Sequence, residues 1–154
     1  KNKLKEYGAD VLIDTSNENW LDDVLKLTNG EGVDILIDML SGNYVNKNME
    51  ATKIHGHLVN IGRLAGMSGN FNYDLHAKRR LHYVGTTGRT RSIEENEIVA
   101  TLANKDLRKS VLAGNIRHVI YKTMQFSKAK EARDMMNKNS HFGKIILFTD
   151  EFLN

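Results

Sequence analysis

Six consecutive residues, Val33-Asp34-Ile35-Leu36-Ile37-Asp38, constrain the fold of this chain more than any other segment. The run is nearly all apolar and rich in β-branched side chains. It is bracketed by Asn29-Gly30 and Ser41-Gly42. A short strand without polar alternation is one covered on both faces, which is the habit of parallel sheets. Parallel strands need crossover connections, so helices must alternate with them.

The rest of the sequence supplies that alternation. Val11-Leu12-Ile13-Asp14 reads as an earlier strand, followed by the polar helix-start residues 16–19. Trp20, Leu21, Val24, Leu25 and Leu27 recur at helical spacing, and Asn29-Gly30 closes that helix. Tyr44, Val45, Met49, Ala51 and Ile54 predict a second helix. His57-Leu58-Val59-Asn60-Ile61-Gly62 reads as a third strand, entered through Gly56. A polar, glycine-containing stretch over 63–72 leads to a basic turn, His76-Ala77-Lys78-Arg79-Arg80, and then to a fourth strand, Leu81-His82-Tyr83-Val84-Gly85. Ser92-Ile93-Glu94-Glu95 has the capping-box pattern that opens a helix. Ile98, Leu102, Leu107, Val111 and Leu112 give that helix an apolar face, with a break expected near Asn104-Lys105-Asp106. The end reads β-α-β: a strand over 118–126, a helix over 127–137 and the strand Lys144-Ile145-Ile146-Leu147-Phe148.

This pattern is α/β, an incomplete Rossmann-type doubly wound parallel sheet with a C-terminal β-α-β extension. In such sheets ligands sit beyond the carboxyl ends of the strands. Four segments are therefore the candidates: Asp14-Thr15-Ser16, Met39-Leu40-Ser41-Gly42, Ile61-Gly62-Arg63 and Gly85-Thr86-Thr87. They share Gly, Ser and Thr, with no nucleophile–base pair. Small residues let a flat ligand approach the backbone, which suits a cofactor that brings its own chemistry. The plain alternative is that they only make tight turns.

Composition removes several other classes. The chain has 154 residues, 40% hydrophobic and 27% charged, the balance of a globular domain. A formal charge of +3 is too small for a nucleic-acid footprint. There is no cysteine, so no disulfide or thiolate zinc site, and cytoplasm is the default compartment. No apolar run approaches the roughly 20 residues of a membrane helix, and the N-terminus lacks the apolar core of a signal peptide. The six histidines match no zinc spacing. Lys78-Arg79-Arg80 reads as a solvated basic turn. Arg89 and Arg91 either reach a substrate or pair with Glu94 and Glu95. Asp14 and Asp38 read as loop hydrogen-bond acceptors.

Five segments carry a family resemblance. Gly8-Ala9-Asp10-Val11-Leu12-Ile13-Asp14 followed by Gly30-Glu31-Gly32-Val33-Asp34 resembles a paired run of the zinc-independent NADPH:quinone oxidoreductases of the medium-chain dehydrogenase/reductase superfamily. Gly56-His57-Leu58-Val59-Asn60-Ile61-Gly62 is similar to their G-x-x-V-x-x-G strand. Residues 84–92, Val-Gly-Thr-Thr-Gly-Arg-Thr-Arg-Ser, resemble a segment of the family's p53-inducible branch, and Gly143-Lys144-Ile145-Ile146-Leu147 resembles its closing strand. The set runs in order over about the whole chain.

The resemblance implies hydride transfer from NADPH to a quinone or another electron-poor alkene, without zinc. It implies that Met39, Leu40, Ser41 and Gly42 line the cofactor cleft. Ile61, Gly62 and Arg63 would run beside the nicotinamide ribose and pyrophosphate, and Thr86 and Thr87 beside the carboxamide. Thr15 stands where the family often has a Tyr near the adenosine 2′-phosphate, which leaves NADH open. No residue identifies itself as a proton donor. The resemblance also implies a partial dinucleotide-binding domain over 1–114, a C-terminal segment over 115–154 returning to a substrate domain, and a homodimer joined through residues 81–85. The glycine-rich phosphate loop G-x-G-x-x-G is not in the sequence, and the expectation is that it lies upstream of Lys1. The alternative reading is a non-catalytic nucleotide-binding or interaction module.

Overall fold

An apolar run becomes a strand only when another backbone lies beside it, and pairing decides which of the expected strands exist. The computed structural model describes residues 2–139 and 141–149. A short helix α1 (Asn2–Glu6) and α2 (Trp20–Leu27) precede β1 (Val33–Asp38). Then follow α3 (Val45–Ala51), β2 (Thr52–Asn60), α4 (Tyr73–Arg79) and β3 (His82–Gly85). The three strands form one sheet, order β1-β2-β3, and both pairings are parallel. Val11-Leu12-Ile13-Asp14, expected as a strand, lies in none. Its apolar residues give strand propensity, but no described strand pairs with it. Three strand ends, not four, therefore share the carboxyl edge.

Register sorts the side chains into two faces. Leu36, Leu58 and Tyr83 align across the sheet, as do Asp38, Asn60 and Gly85. This face meets the helices: Val45 and Met49 of α3 pack with Leu58 and Leu81, and Leu36 of β1, Phe71 and the α4 residue Leu75 pack against them. Met49 and Leu58 are fully buried. The opposite face carries Ile35, His57 and His82 in one row and Ile37, Val59 and Val84 in the next. Ile35 is 62% exposed and Ile37 56%.

Three local boundaries differ from expectation. The second helix ends at Ala51, not near Ile54, because Thr52 turns extended and its hydroxyl donates to the Asn48 carbonyl at 2.7 Å. The ladder between β1 and β2 then skips from Val33↔Thr52 to Ile35↔His57, so the regular strand begins at His57 as the sequence predicts. Residues 76–80, expected as a basic turn, belong mostly to α4. The Asn72 side chain caps that helix by accepting from Leu75 N at 3.0 Å, and Asp74 and Lys78 pair one turn apart at 2.7 Å.

The chain divides between Arg91 and Ser92 into two compact units. The second holds α5 (Ile93–Leu112), β4 (Ile120–Gln125), α6 (Ala129–Asn137) and β5 (Lys144–Phe148). The predicted capping box is present: Glu95 N donates to the Ser92 hydroxyl, and Ser92 N donates to the Glu95 carboxylate. The expected break at 104–106 is absent, and α5 runs unbroken for 20 residues. Its Asn, Lys and Asp cost little helix propensity where neither Gly nor Pro intervenes. β4 and β5 pair in parallel across α6, the expected β-α-β. The expected domain limit at residue 114 rests on the resemblance, and the packing does not address it. Among the described residues no helix is long and apolar enough to cross a membrane.

Candidate functional site

The carboxyl edge of the three-stranded sheet is organised by Asp38 and Asn60, neighbours in register at the ends of β1 and β2. Both are buried, Asp38 at 3% exposure and Asn60 at 7%. Asp38 Oδ1 accepts from Leu40 N at 2.8 Å and Ser41 N at 3.0 Å, folding the loop after β1 back on itself. The sequence expectation that Asp38 is a loop acceptor holds. Ser41 takes φ 58 and ψ −146, a conformation rare for a residue with a Cβ. That places its hydroxyl in the protein, where it donates to the Gly62 carbonyl at 2.7 Å.

Asn60 completes the knot. Its Nδ2 donates to Ser41 Oγ, to the Gly62 carbonyl at 3.0 Å and, at a long 3.5 Å, to Asp38 Oδ2. Its carbonyl accepts from Thr86 N at 3.0 Å and Thr86 Oγ1 at 3.2 Å. One residue thus bonds to the loops after all three strands. Sequence reasoning missed it, although an amide at the last position of a strand was the available signal.

Gly62 is required by close approach. A Cβ there would fall within 2.9 Å of Met39 Cα and closer still to the Met39 carbonyl oxygen. The two loops lie backbone to backbone, with Leu64 N donating to Met39 O at 3.2 Å and Ala65 N to Leu40 O at 2.9 Å.

Two hollows open on this edge. The smaller, about 150 Å³, is lined by Ser41, Gly42, Asn60, Arg63 and Tyr83 among others. Burial pushes the Tyr83 phenol above its ordinary range; the Asp38 charge adds to the shift and Arg63 opposes it. The larger, about 850 Å³, is lined by Ile61, Gly62, Arg63, Thr86, Thr87 and Arg89, with Leu64, Met67 and Gly88. Its lining holds two guanidinium groups and no carboxylate, so its field favours an anion. Arg89 N also donates to Thr87 Oγ1 at 3.2 Å.

Nine of the ten expected site residues therefore fall in three groups. Ile61, Gly62, Arg63, Thr86 and Thr87 meet in the larger cleft; Ser41 and Gly42 line the smaller; Met39 and Leu40 form the loop against which Gly62 packs. Thr15 lies in an exposed turn and lines neither hollow. The basic run before β3 is engaged internally. Lys78 holds Asp74, Arg79 Nη1 donates to the Thr52 carbonyl at 2.6 Å, and Arg80 Nε donates to His55 Nε2 at 3.1 Å.

Parallel strands whose carboxyl ends open on a glycine- and threonine-lined cleft define an α/β chain of the Rossmann-like kind. Residues 1–105 match the zinc-binding dehydrogenase family, and the chain belongs to that family. No curated protein matches it. Among solved structures it is similar to an NAD-dependent alcohol dehydrogenase (TM-score 0.72, 21% identity, 95% of this chain and 40% of that one). The JamJ enoyl reductase gives a TM-score of 0.78 at 19% identity, over 96% of this chain and 44% of that one. A protein from Bacillus thuringiensis provisionally named an NADPH:quinone reductase gives 0.73 at 25% identity, over 94% and 44%. The chain thus spans about two-fifths of the length of the structures it matches. Despite the family's name, no group of three or more His, Asp or Glu among the described residues could hold a metal ion, so the residues present do not fit a zinc site. The larger cleft suits an anionic ligand, through the open backbone at Gly88 and the cations Arg63 and Arg89.

Proposed function

We propose that this chain is the cofactor-side part of an NADPH-dependent oxidoreductase that passes hydride to a quinone or another electron-poor alkene, with NADH as the alternative donor. The observation that carries the reading is the acid-free cleft at the strand ends, in a member of a dehydrogenase family. The bound nicotinamide supplies the hydride. Arg63 and Arg89 hold anionic groups of the cofactor, Gly88 admits it to the backbone, and Thr87 offers a hydroxyl to its polar edge. The quinone preference over other alkenes follows the resemblance of residues 84–92. We also propose that the protein is a homodimer joined through residues 81–85.

The test is steady-state kinetics of the enzyme carrying this chain, with NADPH and NADH against simple quinones and enones. Wild type should oxidise one cofactor with at least one acceptor. Arg63→Met and Arg89→Met should each raise the cofactor KM by about tenfold, the size of a lost charge-assisted contact. Cofactor binding without oxidation by any acceptor would favour a nucleotide-binding module. Neither binding nor turnover would end the oxidoreductase reading.

A further inference from the structure

The hydrogen bonds at the strand ends set Asn60 apart from every other residue of the edge. Its amide has two N–H groups facing three acceptors: Asp38 at the end of β1, Ser41 in the loop after it, and Gly62 in the loop after β2. Gly62 O receives both this amide and the Ser41 hydroxyl. Gly62 and its neighbours Ile61 and Arg63 in turn form one wall of the larger cleft. Thr86, which also lines the cleft, hangs from the Asn60 carbonyl. The side chain therefore clamps the first two loops, and the main chain of the same residue carries the third.

We propose that Asn60 is a positioning residue for the bound cofactor: its buried amide fixes the Ile61–Gly62–Arg63 wall against the loop after β1, so that the cleft is preformed. The assignment rests on the cofactor-binding reading of that cleft. It predicts a particular failure. A preformed site spends no binding energy on ordering its loops, so loosening the clamp weakens cofactor binding and leaves turnover of the bound complex nearly intact. Asn60 touches no reacting group and acts only through the wall it holds.

Asn60→Asp separates this role from simple packing. The new carboxyl has the shape of the amide, but when ionised it cannot donate to Gly62 or Ser41, and it adds a second negative charge beside Asp38. Once protonated it donates again. The ionisable groups around it are Asp38 of β1, Tyr83 of β3 and Arg63 of its own loop. The wild-type amide does not titrate, so the ratio of variant to wild-type values isolates the new carboxyl.

The experiment is a pH profile of kcat and KM for NADPH in the enzyme carrying this chain, together with amide hydrogen exchange at matched pH. At about pH 8, where a carboxyl is ionised, Asn60→Asp should raise KM by about tenfold with kcat nearly unchanged. The ratio should fall back toward one on acidification to about pH 5, as the carboxyl of a buried acid regains its proton. Asn60→Ala should show the defect at every pH. Exchange in Asn60→Asp at high pH should quicken at residues 39–42 and 61–63 and not at Met49 or Leu58. A KM penalty independent of pH, exchange that quickens everywhere, or no change in either would overturn the assignment. If the enzyme oxidises neither cofactor, the oxidoreductase reading fails by itself, and the exchange pattern still decides whether Asn60 fixes the wall. If Asn60→Asp does not fold, Ser41→Ala removes one link of the same knot and should quicken the same two segments; their remaining as in wild type would overturn the clamp.

Discussion

Gly62 marks the point where an expectation about ligand space becomes one about backbone. From the sequence, a glycine after a strand suggests room for a nucleotide. In the structure, the room is already taken by Met39, whose main chain lies where a Cβ would go. Backbone atoms yield less readily than side chains, so Gly62→Ala should destabilise the protein by about 1–3 kcal/mol, the usual cost of overpacking. A lower urea midpoint with an unchanged slope would bear this out; an unchanged midpoint would show that the two loops slide apart freely. A larger side chain such as Val should also raise the cofactor KM, through displacement of the wall rather than by filling the cleft. At this scale the sequence was informative where one residue acts on its own neighbours. Asp38 was read correctly because an acid at a strand end bonds to the amides two and three residues on. Asn60 escaped notice because two of its three acceptors, Ser41 and Asp38, are 19 and 22 residues away and are brought beside it only by the sheet register.

Elements were legible in proportion to how locally they are specified. α2 and β1 sit where periodicity puts them, and the Ser92 capping box was plain in four residues. The helix α4 has local signals, an Asn cap and an Asp–Lys pair one turn apart, but they overlap a basic run that also fits a solvated turn. Val11-Leu12-Ile13-Asp14 failed for the opposite reason, since strand propensity without a neighbour makes no strand. β3 bears on the proposed dimer. All four of its residues are exposed, it pairs with β2 alone among the described strands, and no proline interrupts it. Such an edge offers unpaired N–H and C=O groups to a second copy. Thr86 N bonds to β2, so the Gly85 N–H faces the free edge, and Gly85→Pro removes that donor from the edge. Light scattering should report a dimer for wild type and a monomer for the variant. A monomeric wild type, or a variant that stays dimeric, would rule out pairing through this strand.

For the whole molecule, the fold class was the most secure reading, because it depends on alternation of strand and helix and not on any single boundary. What alternation cannot convey is which faces end up covered. The sheet of β1, β2 and β3 has helices on one side, while its other side presents Ile35, Ile37 and Val84 to solvent, each at least 43% exposed. A slab that wets well on one side and poorly on the other should behave in solution as a temperature-dependent colloid. The attraction between apolar patches strengthens on warming near room temperature, because its origin is largely the entropy of hydration. The osmotic second virial coefficient of this chain by itself should therefore decline as temperature rises, and an Ile35→Lys, Ile37→Lys double variant should flatten that decline. A coefficient indifferent to both temperature and substitution would mean that this side of the slab governs nothing about how the protein meets its own kind.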